Sequence, residues 1–228
     1  MRHLHVIGAS FAAAACATNP TASTGASGTA AVPVTAPAQG VFTLVHGADT
    51  IATERFTRST DRLQVDFGAR GTTLFRYDAA LTPQATVSHM QVTTTVPGSP
   101  ERIASATFQG DSAILSGNSA GDSAQTLRTA VPQGTVPYIN PSASLMEQIV
   151  RRARVVGGNQ VTVPVLVAST GGQTTTATVS FPTPDSAHVQ LAGVAILLRV
   201  DSTGSIVSGT VPAQGITITR STAAAGTP

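Results

Sequence analysis

Apolar residues recur with a period of two along most of the chain between residues 40 and 220. Short runs of β-branched and aromatic residues alternate there with polar residues, and Gly, Pro and Asp separate the runs. This pattern is typical of β-strands joined by tight turns. Only residues 141–156 keep a helical period, so the sequence predicts a β-domain with a single helix.

The predicted helix is amphipathic. Asn140 is the predicted N-cap and Pro141 the first helical residue, because proline has no N–H to satisfy and its φ already suits a helix. Gly157 and Gly158 follow the last helical residue and are expected to end the helix. The predicted apolar face comprises Leu145, Met146, Ile149, Val150 and Ala153. The predicted polar face comprises Glu147, Gln148, Arg151, Arg152 and Arg154.

Eight strands are predicted before the helix and up to six after it. The connections are short and strands do not alternate with helices, so neighbouring strands are expected to pair as antiparallel hairpins. A flat open sheet of this size would leave exposed edges. The fold class is therefore predicted to be all-β with one helix, in which a large antiparallel meander forms a curved half-barrel or barrel with the amphipathic helix packed on it. The predicted strands are 41–46, 50–58, 62–67, 72–78, 85–96, 102–109, 111–116, 124–131, 160–168, 173–181, 188–191, 195–201, 206–211 and 216–220.

The two ends of the chain differ in composition from the β-domain at 40–220. Residues 1–17 are typical of an export signal, with a polar start, an apolar run too short to span a bilayer and small residues at its end. Residues 18–39 are rich in Thr, Ala, Ser and Pro and are expected to form a flexible tether. Residues 221–228 are expected to be a disordered tail.

Cys16 is the only cysteine, so a disulfide within the chain is excluded. It follows Ala13, Ala14 and Ala15, and this segment resembles the lipobox of bacterial lipoproteins, in which the cysteine is lipid-modified. Such signals usually carry Leu or Val where Ala13 stands. Cleavage by an ordinary signal peptidase after Ala15 or Ala17 is the alternative.

Charged residues are few and nearly balanced, because 13 arginines and 11 acidic residues give a net charge of +2. The sequence contains no lysine. Only Arg151, Arg152 and Arg154 cluster, and tryptophan is absent, so nucleic-acid binding is not expected. The charged residues near the first predicted hairpin are expected to lie on a solvated face. They are Asp49, Glu54, Arg55 and Arg58.

Two short motifs resemble catalytic signatures. Residues 117–121 match the Gly-x-Ser-x-Gly nucleophile elbow, with Ser119 as the nucleophile and Asp185 and His188 as the only downstream partners. The next segment is predicted to be a strand and no α/β scaffold follows, so a hairpin loop is the preferred interpretation. Residues 201–204 read Asp-Ser-Thr-Gly, but a second copy is missing, so a turn is preferred to an aspartic protease.

Metal and cofactor binding are not expected. The histidines after the export signal are His46, His89 and His188, and they are scattered without the carboxylate or cysteine spacing typical of zinc sites. Each lies in or beside a predicted strand, where a surface or structural role is the simpler interpretation. No cofactor is predicted.

The remaining candidate site is apolar. A cavity between the concave face of the sheet and the helix would resemble the small-molecule sites of β-barrels. The alternative is that the same side chains simply fill the core. The candidate ligand-binding residues are Phe67, Phe75, Met90, Phe108, Leu145, Met146 and Ile149.

Three short segments resemble uncharacterised bacterial exported β-protein families. They are Gly40-Val41-Phe42-Thr43-Leu44 at the start, Asn140-Pro141-Ser142 before the helix, and Leu198-Arg199-Val200-Asp201 near the end. These families are similar to the lipoprotein-carrier (LolA/LolB-like) fold, a curved antiparallel half-barrel with helical cover that holds acyl chains in its characterised members. The resemblance covers residues 40–220 and implies a fold, while it transfers no catalytic residue.

The expected function is that of a non-enzymatic exported protein, resident in the periplasm, anchored to the outer membrane or secreted. Its expected partner is a hydrophobic small molecule or a lipid, with membrane anchoring through Cys16 and no nucleic acid. One alternative is a structural or protein-interaction β-module without a cavity. A serine hydrolase that uses Ser119 is the remaining alternative.

Overall fold

A single antiparallel sheet contains almost all of the regular structure in the computed structural model of the protein. The structure describes residues 37–69, 73–119, 125–167 and 173–222. Fifteen strands and one α-helix lie in these ranges. The predicted fold class, an antiparallel meander with one helix, is therefore confirmed, and the sheet is not closed into a barrel.

The strands are numbered in chain order, eight before the β9–α1 unit and six after it. They are β1 (Ala38–His46), β2 (Asp49–Arg58), β3 (Arg62–Ala69), β4 (Leu74–Leu81), β5 (Val87–Thr95), β6 (Arg102–Gln109), β7 (Ser112–Ser119), β8 (Gln125–Ala130), β9 (Val136–Tyr138), β10 (Gln160–Val167), β11 (Gln173–Ser180), β12 (Ser186–Leu191), β13 (Val194–Val200), β14 (Ile206–Val211) and β15 (Ile216–Ser221). The helix α1 spans Ala143–Val156, and a single 3-10 turn spans Pro212–Gln214.

The sheet is organised around the pairing of its first and last strands. Its order is β8-β7-β6-β5-β4-β3-β2-β1-β15-β14-β13-β12-β11-β10-β9. Consecutive strands are neighbours within β1–β8 and within β9–β15, and β1 then pairs with β15. The sheet therefore has two halves that meet at the β1–β15 pair. The two edge strands of the sheet are β8 and β9.

The strand β9 was not predicted from the sequence. It pairs in parallel with β10, with Val136 opposite Val165, because the helix between the two strands reverses the direction of the chain. Pro137 is tolerated because β9 is an edge strand. This is the one parallel pair among the described strands.

The sheet curls around the helix. Helical side chains and strands from both halves of the sheet belong to one buried cluster. The first eight residues of the helix, 143–150, are all buried, which would be impossible for a helix lying on a flat sheet with one side in water. A smaller cluster joins Leu166 of β10 to Ala113 of β7 and Phe108 of β6, so the two ends of the sheet approach each other.

The helix begins two residues later than predicted. Ser142, with extended backbone angles (φ −62°, ψ 119°), is the N-cap in place of Asn140. Pro141 lies in a turn, in which the Ser142 N–H donates to the Ile139 carbonyl at 2.7 Å. The Gly157 N–H donates to the Ala153 carbonyl at the C-terminal end, where the predicted glycine pair does follow the helix.

Candidate functional site

The N-terminal end of α1 is fixed to β2 by a buried carboxylate. The N–H groups of Ala143 and Ser144 donate to Glu54 at 2.7 and 3.0 Å. The Leu145 N–H donates to the Ser142 hydroxyl at 3.1 Å, and the Ser142 N–H donates to the Ile139 carbonyl at 2.7 Å. Each of the four N–H groups that a helix leaves free at this end thus has an acceptor, and the carboxylate complements the helix dipole.

Two hydroxyl groups complete the environment of Glu54. Tyr77 donates to Glu54 Oε1 at 2.5 Å and Ser142 donates to the same oxygen at 2.9 Å, while the two hydroxyls lie 2.5 Å apart. Burial raises the pKa of Glu54 above its usual value, although the hydrogen bonds from Tyr77, Ser144 and Ser142 oppose this rise. Burial also raises the pKa of Tyr77 well above its usual value, and the neighbouring Glu54 adds to the effect.

The expectation that Glu54 and Arg58 lie on a solvated face was wrong. Both are buried, at 0% and 6% exposure. The alternation of β2 already contains the signal, because Ala52, Glu54 and Phe56 share one face of the strand while Arg55 and its neighbours on the other face are exposed. If the alternation of β2 is continued through its charged residues, it places the side chains of Glu54 and Arg58 in the interior.

An apolar cavity lies beside this end of the helix. It has a volume of about 240 Å³ and opens to the surface between the helix N-terminus and the strands β1 and β12–β15. Aliphatic side chains of the last strands form most of the wall, and the helix supplies the rest through Ala143 and Met146. The aliphatic wall residues outside the helix are Leu44, Val167, Leu191, Val194, Ile196, Val211, Ile216 and Ile218.

The mouth of the cavity is small and uncharged. Ala192 lines it from the β12–β13 turn, and this residue has a left-handed backbone with φ 50°, followed by Gly193 with φ 80°. Left-handed alanine is unfavourable, whereas Asn or Gly is the usual residue at such a position. The polar members of the lining near the mouth are the exposed amides Asn140 and Gln214. A strained apolar residue therefore lies at the mouth of the cavity.

A second buried carboxylate, Glu147, fixes the next turn of the helix to the sheet. Glu147 Oε1 lies 3.1 Å from Arg58 Nε and accepts a hydrogen bond from Arg151 Nε at 3.2 Å. Its Oε2 accepts from the Ile206 N–H at 2.9 Å and from Arg220 Nη1 at 3.5 Å. Three guanidinium groups from three elements thus surround one carboxylate, which is a structural arrangement rather than a binding site.

The predicted polar face of the helix is therefore partly wrong, because Glu147 and Gln148 are both 1% exposed. The sheet curls far enough to enclose them and supplies their partners. Arg58 Nη1 donates to Gln148 at 2.5 Å, and Arg58 Nη2 donates to the Ser144 carbonyl at 3.2 Å. Burial lowers the pKa of Arg58 to about 10 although Glu147 opposes this change, so the guanidinium stays charged at neutral pH.

The predicted ligand-binding residues are spread over the interior. Five of them lie in the main core, and Phe75 and Phe108 pack against it while partly buried. Of the seven, Met146 lines the cavity described above. Phe67 and Phe75 contact each other on β3 and β4, with ring centroids 5.9 Å apart. The binding role of this set stays a prediction, and the cavity wall comes from the strands after the helix.

The described residues do not form the structural context of a nucleophile elbow. Residues 117–119 belong to β7 and pair with β6, and the next described element after the motif is the antiparallel strand β8. The side chain of Ser119 lies outside the described residues. The hairpin interpretation of this motif agrees with the strand pairing, whereas the strand-to-helix turn of a hydrolase does not.

The segment at 201–204 is a turn, as predicted. Asp201 Oδ1 accepts hydrogen bonds from the N–H groups of Thr203 and Ser205, both at 2.9 Å. His46, His89 and His188 are exposed and lie on separate strands. Within the described ranges, no group of three or more His, Cys, Asp or Glu residues could hold a metal ion.

The export signal, Cys16 and almost all of the predicted tether lie outside the described residues, as does most of the C-terminal tail. Among the residues that the structure describes, no helix is both long enough and apolar enough to span a bilayer. The predictions for the two chain ends therefore stay predictions.

Neither a family model nor a curated protein matches the sequence. Solved structures resemble the fold at low sequence identity. One is a DUF1089 family protein from Pseudomonas aeruginosa, which is 12% identical with a TM-score of 0.55, over 70% of this chain and 89% of that one. Another is a beta-barrel-like protein of domain of unknown function DUF1849 from Brucella abortus, which is 12% identical with a TM-score of 0.50, over 83% of this chain and 98% of that one.

These similarities concern the fold alone, because both identities are low. They place the chain among uncharacterised β-barrel-like folds of bacteria, which agrees with the coarser part of the resemblance seen in the sequence. A specific similarity to lipoprotein carriers is not found among them. The function must therefore be argued from the site itself.

Proposed function

We propose that the protein is a non-enzymatic, exported protein of the bacterial cell envelope that binds a hydrophobic or lipidic ligand in the cavity at the N-terminal end of α1. The observation that carries the proposal is the cavity, which is about 240 Å³ in volume, open to the surface and lined mainly by aliphatic side chains. Small-molecule sites are typically concave and apolar with a few polar groups at defined positions.

The anchoring of the helix supports this proposal. Glu54 and Ser142 hold the first turn in place, so one wall of the cavity is fixed before any ligand binds. A preformed site avoids the entropic cost of ordering its walls upon binding. The backbone strain at Ala192 is a second supporting observation, because strained residues persist where the surrounding structure maintains them, often at binding sites.

The cellular part of the proposal comes from the sequence. Residues 1–17 resemble an export signal, and Cys16 would provide a lipid anchor if the lipobox resemblance holds. The short segments within residues 40–220 that resemble families with a lipoprotein-carrier-like fold also favour a lipidic cargo. Labelling of producing cells with a fatty-acid probe tests the anchor, because the label should be lost in Cys16→Ser.

Native mass spectrometry with lipid extraction tests the ligand. The chain is produced in full in a bacterium and purified from its envelope in the wild-type form and as Val194→Trp and Leu197→Trp. Val194 lines the cavity, and the indole would fill it. Leu197 lies on the same strand, is 38% exposed and does not line the cavity, so it is the matched control.

The expected result is a stoichiometric co-purifying hydrophobic molecule in the wild type and in Leu197→Trp, and its loss in Val194→Trp while the far-UV circular dichroism spectrum is preserved. A wild-type protein that carries no such molecule, and takes none up during incubation with an extract of envelope lipids, would contradict the proposal.

A further inference from the structure

The volume of the cavity limits the size of what it can enclose. An apolar protein cavity of about 150 Å³ accepts benzene, which has six carbon atoms. By that ratio, the volume of about 240 Å³ corresponds to roughly ten aliphatic carbons. Pockets for drug-sized ligands range from about 300 to 1,000 Å³, so the two long chains of a diacyl lipid would not fit inside this cavity together.

The lining of the cavity is uncharged. None of the described residues that line it carries a formal charge at neutral pH. Helix N-termini commonly bind anions through their free N–H groups. Here the four N–H groups that the helix leaves free already donate to Glu54, to the Ser142 hydroxyl and to the Ile139 carbonyl, so the helix end offers no donor to an anionic head group. An ion at this position would lose part of its hydration and would find no opposite charge among the lining residues.

The amides at the mouth offer hydrogen bonds instead. Tyr138 donates to Asn140 Oδ1 at 3.4 Å, which leaves the amide nitrogen of Asn140 without an acceptor among the described residues. Gln214 is exposed in the 3-10 turn, and its amide has no partner within the described part of the chain. Both side chains can donate to a carbonyl oxygen without introducing a charge.

We infer that the site selects a single aliphatic chain of roughly ten carbons that ends in an uncharged group able to accept hydrogen bonds, such as an ester or an amide. This inference names the ligand class for the proposed function and rests on it. The chain would lie against the aliphatic wall next to Met146, and the head group would remain at the mouth between Asn140 and Gln214.

Isothermal titration calorimetry on the full chain at pH 8 tests the inference with probes of equal chain length. The probes are 1-monodecanoylglycerol, sodium decanoate and decyltrimethylammonium, which carry a neutral, a negative and a positive head group. The neutral probe is expected to bind about ten-fold more tightly than either ion, or more, because the ions lose more hydration and the lining offers them no opposite charge. A monoacylglycerol with an 18-carbon chain tests the length and is expected to bind more weakly than the ten-carbon one.

A charge introduced at the mouth should change the selectivity. Gln214→Arg places a guanidinium beside the head group and is expected to raise the ratio of the affinity for decanoate to that for 1-monodecanoylglycerol about ten-fold. Gln133→Arg is the matched control, because Gln133 is an exposed glutamine that does not line the cavity, and it should leave all affinities unchanged.

The possible outcomes separate this inference from the proposed function. Equal or tighter binding of decanoate by the wild type would overturn the head-group selectivity, and tighter binding of the 18-carbon chain would overturn the size limit. Either result leaves the proposed function standing. Failure of every probe and of extracted envelope lipids to bind would overturn both.

Discussion

The first turn of the helix and the turn that follows it are fixed to the same sheet by buried carboxylates, but in different ways. At the N-terminal end, Glu54 belongs to the sheet and accepts hydrogen bonds from uncharged groups of the helix and from Tyr77. Further along, Glu147 belongs to the helix and lies among the guanidinium groups of Arg58, Arg151 and Arg220. The first arrangement borders an apolar cavity, and the second borders a surface rich in arginine.

This difference shows how a curved sheet can hold a helix without placing charge next to a ligand. A carboxylate compensated by backbone N–H groups needs no basic side chain nearby, so the cavity wall remains uncharged. A carboxylate compensated by arginines places cationic groups close to the surface, because the side chains of Arg151 and Arg220 are 24% and 21% exposed. The helix is therefore anchored at its first turn and at the turn that follows, and only the first of these anchors borders the apolar cavity.

Loss of the Glu147 charge is expected to have the largest effect. Glu147→Gln keeps the volume but leaves Arg58 buried without an anion, which should lower the free energy of unfolding by about 3–5 kcal/mol. Urea denaturation measures the change. Asp78→Asn is the matched control, because the ion pair of Asp78 with Arg62 is exposed and such pairs contribute little. Similar losses in both variants would show that the buried charges are not what fixes this part of the helix.

Removal of the Glu54 carboxylate should change how the free energy of unfolding depends on pH. The folded-state pKa of Glu54 is raised above 4.5 by burial, so the folded protein binds its proton more tightly than the unfolded chain. Stability should therefore fall as the pH rises from about 4.5 through the raised pKa, by about 1.4 kcal/mol for each unit of the shift. Thermal unfolding between pH 5 and 8 measures this slope.

Glu54→Gln should remove that part of the pH slope, whereas the exposed Glu101→Gln should retain it. Measurements stay above pH 5, because the Arg62 guanidinium lowers the pKa of Asp78 and its protonation would destabilise the fold at lower pH. An identical slope in the wild type and Glu54→Gln would contradict the assignment of Glu54 as the titrating group.

The smallest expected effect concerns the mouth of the cavity. Ala192→Asn replaces a strained left-handed alanine with a residue that tolerates this conformation, and should raise the free energy of unfolding by about 1 kcal/mol. Ala213→Asn lies in the nearby 3-10 turn without a positive φ and should not stabilise the protein. Chemical denaturation of both variants compares them, and equal changes would rule out backbone strain as the cause.

Much of the fold was predictable because its elements are short and local. The alternation within each strand and the turn residues between strands placed nearly all strands within a few residues, and the single helical period located α1. The strand β9 was missed because three residues with a central proline carry no periodic signal. The N-cap was misplaced because Ser142 and Asn140 are both good capping residues, and the neighbouring Glu54 from a distant strand favours the former.

The candidate site was less predictable. Met146 was among the predicted ligand-binding residues, whereas the aliphatic residues of the last strands that line the cavity were not. A strand face in a meander can form either core or cavity wall, and the sequence does not distinguish the two until the position of the helix is known. Glu54, Glu147 and Gln148 were assigned to solvated surfaces for the same reason: a polar residue is exposed on an open sheet or a surface helix, and buried only where the sheet encloses it.

The sequence alone determined the period of every long element, the turns between them and hence an antiparallel meander with one helix. The tertiary structure decided the rest, because the curvature of the sheet brings strands that are far apart in sequence to the same helix. That curvature encloses Glu147, brings Glu54 to its partners on the helix, and leaves beside the N-terminus of the helix a space that is apolar and uncharged.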